Sequence, residues 1–173
     1  HSRLRAALAR LGGGEVSGEA VASTGEEEKS PPGSVLFVCG MNAIRSPMAE
    51  AIAKDLVGKG TYIASAGVRH GERDPFVDAV LGEIGLDLGN REPQSLDELE
   101  DDFFDLIVTL APEAHHRALD MNRGNAVDVI YWPTPDPSVA AGTREQILAS
   151  YREVRDMLAL RLRKLFAIEP PTD

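Results

Sequence analysis

Residues 34–52, SVLFVCGMNAIRSPMAEAI, hold the single cysteine of the chain, Cys39, at the point where an apolar run ends. The run itself, SVLFVC (34–39), is apolar and partly β-branched, which predicts a buried β-strand. Ser46 is a good helix N-cap and Pro47 is a favoured first helical residue, and apolar residues follow with helical spacing. The stretch therefore predicts a strand, a short loop and a helix, with Cys39 at the carboxyl end of the strand.

The loop after Cys39 has the composition of an anion-binding site. Gly40 and Asn42 tolerate the positive φ angles that a tight strand-to-helix loop requires. Such a loop points its backbone N–H groups inward above a helix N-terminus, and Arg45 adds a planar guanidinium that can hold two oxygens of a phosphate. The same field favours the thiolate form of Cys39, which makes it a nucleophile, and Ser46 can donate a hydrogen bond to the sulfur. The predicted phosphate-binding residues are Gly40, Met41, Asn42, Ala43, Ile44, Arg45 and Ser46.

Other interpretations of this stretch can be weighed from the sequence. A cysteine at the end of a buried strand is most often a small core residue, which is the competing interpretation of Cys39 taken alone. The loop has no G-x-x-x-x-G-K-[ST] pattern and no lysine, which excludes an ATP-binding P-loop, and no G-x-G-x-x-G that would bind a dinucleotide. A bare C-x5-R pattern is weak, but a strand, C-x5-R-S-P and a helix together favour a catalytic Cys39.

Outside this stretch, short β-rich runs alternate with helical patterns. Such alternation predicts right-handed βαβ units and a parallel sheet covered by helices on both faces. Ligands bind such sheets beyond the carboxyl ends of the strands, which is where Cys39 lies. The sequence thus predicts a three-layer α/β/α fold with a four-stranded parallel sheet and a phosphate-binding loop after strand 1. The further predicted strands are 61–66, 105–111 and 126–132, and the predicted helices are 46–58, 74–85, 112–121 and one that runs from a Thr143–Gln146 capping box to about Phe166.

The composition is that of an ordinary globular domain and excludes several classes of protein. The chain has 173 residues and a net charge of −10, which argues against a general binder of nucleic acid or of an anionic membrane. No apolar run approaches the roughly 20 residues that span a bilayer. One cysteine cannot build a disulfide framework, which fits a reducing cytoplasm. Residues 1–33 have the composition of an N-terminal extension with a flexible linker, so we place the domain at 34–173.

The segment VCGMNAIRSPMAEA (38–51) resembles the signature loop of the low-molecular-weight protein tyrosine phosphatases, C-x-x-N-x-x-R-S-P. The resemblance extends over nearly all of residues 34–168, including the segment Ser65-Ala66-Gly67 and the strand DLIVTL. It implies a four-stranded parallel sheet flanked by helices, and a reaction that passes through a phosphocysteine without a metal or another cofactor. By the same resemblance, Asn42 and Ser65 support the loop through hydrogen bonds.

Two Asp-Pro pairs are candidates for the general acid that such a reaction requires. Asp74-Pro75 opens a predicted helix, so the ordinary role of Asp74 is an N-cap. Asp136-Pro137 lies in a loop beyond the fourth strand, on the same edge of the sheet as Cys39, where no cap is needed for several residues. A turn residue is the plain alternative for Asp136. The resemblance places the general acid and base of the family on Asp136.

The sequence departs from the family at positions that bear on the substrate. Many relatives carry a second cysteine next to the arginine, where this chain has Ile44. Ala43 occupies a position where phosphotyrosine enzymes commonly have isoleucine and the phosphoarginine-selective branch has threonine. The tyrosines that often follow the acid are replaced by Ser138 and Val139. These differences leave the chemistry intact and leave the substrate open.

The resulting prediction is a metal-independent phosphomonoester hydrolase that acts on phosphotyrosine in proteins, with Cys39, Arg45 and Asp136 as catalytic residues. The alternatives are a phosphoarginine phosphatase and an arsenate reductase that uses an external thiol, since the self-contained reductases relay electrons through further cysteines. A module that binds phosphate or a phosphoprotein without turnover is the non-enzymatic alternative. The expected partners are a phosphorylated protein, and inorganic phosphate or similar anions at the loop.

Overall fold

The computed structural model describes residues 32–100, 103–122 and 127–168. Four β-strands and four α-helices alternate along this part of the chain, as the sequence predicts. The strands are β1 (Ser34–Cys39), β2 (Tyr62–Gly67), β3 (Leu106–Thr109) and β4 (Asp128–Tyr131), the helices are α1 (Arg45–Val57), α2 (Pro75–Gly82), α3 (Pro112–Met121) and α4 (Arg144–Leu165), and short 3-10 helices lie at Gly58–Gly60, Leu96–Glu98 and Pro137–Val139.

The four strands form one parallel sheet in the order β2-β1-β3-β4. β1 is central and every one of its residues is buried. Cys39 at its end pairs with Gly67 at the end of β2, so both carboxyl ends lie at the same edge of the sheet. The predicted fold class is thereby confirmed, and the sheet order places the loop after β1 between the loops that follow β2 and β3.

Helices cover both faces of this sheet because β1 is apolar on both sides. Val35 and Phe37 belong to the core that packs on α1, α2 and α4, whereas Leu36 and Val38 belong to the core that packs on α3 and the 3-10 helix Leu96–Glu98. Burial of apolar side chains on both faces is the main favourable contribution to folding. The three-layer arrangement fixes β1, and with it the position of Cys39.

The first helix begins one residue earlier than predicted, which corrects the role assigned to Ser46. The N-cap of α1 is Ile44, which makes no side-chain cap bond, and Ser46 and Pro47 lie inside the first turn. The hydroxyl of Ser46 is instead turned toward Cys39. The predicted cap of α4 is confirmed, because Thr143 and Gln146 form a complete capping box.

The remaining predicted elements agree with the structure apart from their ends. The helix predicted over 112–121 has those bounds, whereas the helix predicted over 74–85 stops at Gly82. Within the described residues, every helix is too short or too polar to span a bilayer. Of the predicted extension, residues 1–31 lie outside the described part of the chain, and its linker character stays a prediction.

Candidate active site

The loop of residues 40–44 joins β1 to α1 and is held against the segment that follows β2. The backbone N–H groups of Val68, Arg69 and Gly71 donate to the carbonyl oxygens of Cys39, Gly40 and Met41 at 3.0, 2.9 and 2.8 Å. A Cβ on Gly67 would lie 2.6 Å from the nitrogen of Asn42, so only glycine allows this close approach. The loop therefore has a fixed path at the carboxyl edge of the sheet.

The sulfur of Cys39 lies at the base of this loop and accepts hydrogen bonds from the start of α1. Cys39 is only 2% exposed. Its Sγ lies 2.9 Å from the Oγ of Ser46 and accepts from the backbone N–H of Ser46 at 3.4 Å. An amide of the first helical turn and a hydroxyl both stabilise negative charge on sulfur. The arrangement is thus suited to a cysteine thiolate.

The side-chain amide of Asn42 joins the loop to neighbouring segments through hydrogen bonds of both its nitrogen and its oxygen. It is fully buried and has a φ of 55°, a backbone conformation that asparagine tolerates better than most residues. Its Nδ2 donates to the Oγ atoms of Ser46 and Ser65, at 2.8 and 2.9 Å. Because the Ser46 hydroxyl accepts from Asn42, it can donate its own proton, either to the sulfur at 2.9 Å or to the carbonyl oxygen of Ala66 at 3.4 Å. The structure thus brings together Cys39, Asn42, Ser46 and Ser65.

Behind these residues lies a charged pair, of a buried glutamate and a partly buried arginine, that the sequence analysis missed. Glu50, which is 6% exposed, accepts from the hydroxyl of Ser65 and lies 3.3 Å from the Nε of Arg91. Arg91 also donates to the Oδ1 of Asn42, which accepts a second hydrogen bond from the backbone N–H of Gln94 at 2.8 Å. The one signal available in the sequence was a glutamate on the buried face of the first helix, where a charged side chain requires a partner.

Arg45 joins the loop to the segment that carries Asp136. Its Nη1 donates to the carbonyl oxygen of Thr134 at 2.9 Å. Thr134 is buried and is itself fixed by two hydrogen bonds, from its Oγ1 to the carbonyl of Trp132 and from its N–H to the carbonyl of Leu110. The guanidinium therefore lies between the loop after β1 and the loop after β4.

Asp136 caps a short helix, which corrects the expectation that no cap is needed there. Its Oδ1 accepts from the backbone N–H and the hydroxyl of Ser138, at 2.9 and 2.7 Å, and it is the N-cap of the 3-10 helix Pro137–Val139. The hydrogen bonds all use Oδ1 and hold the carboxyl group in one orientation, two residues after the carbonyl that Arg45 contacts.

Asp74 has the cap role that its sequence position predicts. Its Oδ1 accepts from the N–H of Phe76 at 2.8 Å, and its Oδ2 accepts from the hydroxyl of Tyr151 at 2.7 Å. Burial and the hydrogen bond to Asp74 raise the pKa of Tyr151, and the negative charges of Asp74 and Asp136 raise it further. Both Asp-Pro aspartates therefore lie close enough to Tyr151 for their charges to act on it.

Two histidines, His70 and His115, make contacts of a structural kind. His70 pairs with Glu98 at 2.9 Å on the surface. His115 stacks on Tyr131, and its Nδ1 lies 2.9 Å from the Oγ1 of Thr109. Burial, with a smaller contribution from His116, lowers the pKa of His115, which therefore favours its neutral form. None of these contacts involves Cys39.

Comparison with known proteins gives relatives with three activities. The family described as low molecular weight phosphotyrosine protein phosphatase matches residues 34–169. An arsenate reductase of Bacillus subtilis is 32% identical over 130 residues, which cover 75% of this chain and 92% of the relative. The tyrosine phosphatase AmsI of Erwinia amylovora has a similar fold, with a TM-score of 0.66 and 22% identity over 84% of this chain and 99% of its own. The arginine phosphatase YwlE, solved as a variant with a phosphorylated active-site serine, has a TM-score of 0.62 and 21% identity over 78% of this chain and 93% of its own.

Proposed function

The chain belongs to the low molecular weight phosphotyrosine protein phosphatase family, and we propose that within it the protein is a metal-independent phosphomonoester hydrolase acting on phosphotyrosine in proteins. The observation that carries this proposal is the sulfur of Cys39, which lies 2.9 Å from the hydroxyl oxygen of Ser46 and accepts from the backbone N–H of Ser46 at the base of the loop of residues 40–44. A thiolate held in this way can attack the phosphorus of an ester bound in the loop. The cytoplasmic location expected from the sequence stays a prediction.

The first step transfers the phosphoryl group to sulfur. The loop N–H groups and Arg45 bind the phosphate oxygens and stabilise the charge that spreads over them in the transition state. The electron pair of the Cys39 thiolate forms the S–P bond while the P–O bond to the leaving group breaks. Asp136, in its protonated form, gives its proton to the leaving oxygen.

The second step hydrolyses the phosphocysteine. Asp136 is now a carboxylate and takes a proton from the attacking water, whose oxygen forms the new bond to phosphorus. The S–P bond breaks, inorganic phosphate leaves, and the sulfur returns as a thiolate. Ser46 stabilises this leaving thiolate through the same hydrogen bonds that it makes to Cys39 in the free protein.

Two exposed apolar side chains, one in the loop and one shortly after Asp136, support an aromatic phosphate ester as the substrate. Met41 is 43% exposed and packs against Gly71, and Val139, three residues after Asp136, is 80% exposed. Apolar side chains around a phosphate site give an aromatic ring a surface to contact. This feature favours phosphotyrosine over phosphoarginine, whose guanidinium carries a charge beside the phosphorus.

Arsenate reduction is the second candidate, because the relative from Bacillus subtilis is named for that activity. Arsenate has the shape and charge of phosphate and fits the same loop. The chain contains one cysteine, so a reductase of this sequence would need an external thiol to release the arsenical from Cys39. Asp136, two residues after the carbonyl that Arg45 contacts, supports the hydrolase, because protonation of an ester leaving group requires an acid.

The test is hydrolysis of aryl phosphates in EDTA by the unmodified protein and three variants. We expect turnover by the unmodified protein, none by Cys39→Ser, and a rate lowered by about 10² in Asp136→Asn, the size of a typical general-acid contribution. Asp74→Asn is the matched control, because Asp74 also precedes a proline and caps a helix. The loss in Asp136→Asn should grow as the leaving group becomes more basic, whereas Asp74→Asn should show no such trend.

Each result separates the candidates. A phosphoryl group retained on the protein after acid quenching, and absent in Cys39→Ser, would support the phosphocysteine. Release of arsenite from arsenate in the presence of a small thiol, without hydrolysis of any aryl phosphate, would favour the reductase. Binding of inorganic phosphate without either reaction would leave the binding module as the function.

A further inference from the structure

Gly40, the first residue after the cysteine, has no side chain, and a carboxylate from another element fills the space beside it. A Cβ on Gly40 would lie 2.6 Å from the Oε2 of Glu113. Glu113 is the second residue of α3 and is 47% exposed. The carboxylate of Glu113 therefore occupies the space beside the loop that a side chain at residue 40 would fill.

A cation accompanies this carboxylate. The Nη2 of Arg69 donates to both oxygens of Glu113, at 3.1 and 3.3 Å. The backbone N–H of Arg69 donates to the carbonyl of Gly40 at 2.9 Å, so the residue is fixed beside the loop while its side chain stays 57% exposed. The pair of Arg69 and Glu113 thus spans Gly40 at the mouth of the site.

The hydrogen-bond donors that remain in this pair are on the arginine, because an ionised carboxylate only accepts. Both oxygens of Glu113 accept from Nη2. Within residues 32–100, 103–122 and 127–168, the N–H groups of Nε and Nη1 of Arg69 donate to no other residue. A guanidinium with two free edges binds an oxygen acceptor, and its exposed pairing with Glu113 is weak enough to be exchanged for a ligand.

We propose that Arg69 is a specificity residue that binds the carboxylate of an aspartate or glutamate next to the phosphorylated residue of a peptide substrate. Glu113 holds the guanidinium over Gly40 while the site is empty. A local cation of this kind offsets the net charge of −10, which otherwise disfavours an acidic peptide. This inference rests on the proposed function, because it concerns the peptide that reaches the same site.

The test compares two phosphotyrosine peptides that differ only in whether glutamate or glutamine stands next to the phosphotyrosine. For the unmodified protein we expect kcat/KM to favour the glutamate peptide by about two- to fivefold, the range of an exposed ion pair. Arg69→Gln should bring this ratio to one or below, and Arg69→Lys should restore part of it. Glu113→Gln should raise the ratio, because it removes a carboxylate that competes for Arg69.

Arg117→Gln is the matched control. It also removes one cation, in this case from α3, but Arg117 pairs with Asp97 at 2.9 Å and not with a residue at the mouth of the loop. The ratio in this variant should equal that of the unmodified protein. Equal rates for the two peptides, or the same ratio in Arg69→Gln, would overturn the inference while aryl phosphate hydrolysis upholds the proposed function. Absence of all hydrolysis, aryl phosphate included, would overturn both.

Discussion

Replacement of Gly67 by alanine tests whether contact between β2 and the phosphate loop fixes the path of that loop. The added Cβ would come closest to the carbonyl oxygen of Arg69, in the segment that follows β2, and would lie 2.6 Å from the nitrogen of Asn42 and 2.7 Å from the carbonyl carbon of Met41 in the loop. Ordinary van der Waals contact begins at 3.4 Å, so the two backbones would have to separate by about 0.7–0.8 Å. All three contacts are to backbone atoms, so no side-chain rotation can relieve them.

We expect the Gly67→Ala variant to lose about 1–3 kcal/mol in the free energy of unfolding, the usual cost of overpacking. Its kcat/KM should fall by a larger factor, about 10- to 100-fold, because a displacement approaching 1 Å misplaces the groups that bind phosphate. Equilibrium unfolding in urea and steady-state hydrolysis of an aryl phosphate measure the two effects. The backbone bond from Gly67 to the carbonyl of Gln94 should weaken as well.

Gly82→Ala is the matched control, because a Cβ on Gly82 has no heavy atom within 4 Å. Gly82 ends α2, and alanine there should leave kcat/KM unchanged and raise the free energy of unfolding by about 0.4–1 kcal/mol. If Gly67→Ala kept its kcat/KM within twofold of the unmodified protein, the contact would not determine the path of the loop and the reasoning would be wrong.

Three further predictions concern the polar contacts. Asn42→Ala should lower the free energy of unfolding by about 2–3 kcal/mol in urea and lower kcat/KM, because it leaves buried donors and acceptors unpaired; a loss below 0.5 kcal/mol would contradict this. Tyr151→Phe should cost about 0.5–1.5 kcal/mol through loss of the bond to Asp74, measured in the same way. An unchanged value would show that water replaces this bond at no cost. Hydrogen bonds from Arg152 and Arg155 lower the pKa of Glu83 from 4.5 to about 2. The unmodified protein should therefore have a higher free energy of unfolding than Glu83→Gln above pH 4.5, and this difference should disappear as the pH falls through 2. A difference that did not change between these pH values would argue against the pairing.

The local features of the fold were accessible to sequence analysis because they depend on a few neighbouring residues. The alternation of apolar runs with segments of helical spacing predicted all four strands and four helices in their order along the chain. The capping box at Thr143 and the cap at Asp74 each involve residues two or three positions apart. Such interactions do not require knowledge of which strands are neighbours.

Two predictions about single side chains were wrong, those for the hydrogen-bond partners of Ser46 and Asp136. Ser46 has the chemistry of an N-cap, but its hydroxyl contacts Cys39, seven residues away, because the helix begins at Arg45. Asp136 was expected to be free of a cap role, yet a 3-10 helix of three residues forms directly after it. Helices this short leave little trace in hydrophobic periodicity, which needs several turns to become visible.

The amino-acid sequence by itself determined the local features of the loop after β1: a strand that ends at Cys39, residues that allow the turn, and an arginine six positions later. The tertiary structure alone decided what surrounds that loop. Arg45 meets the carbonyl of Thr134, 89 residues away, and Arg91 meets Asn42, 49 residues away. The first pair forms because the parallel sheet of order β2-β1-β3-β4 brings the loop after β4 to the edge where β1 ends, and the second because the segment after α2 passes along that edge, where Ser95 bridges Gly67. Strand order follows from burial of both faces of β1, a property of the whole core and not of any short segment.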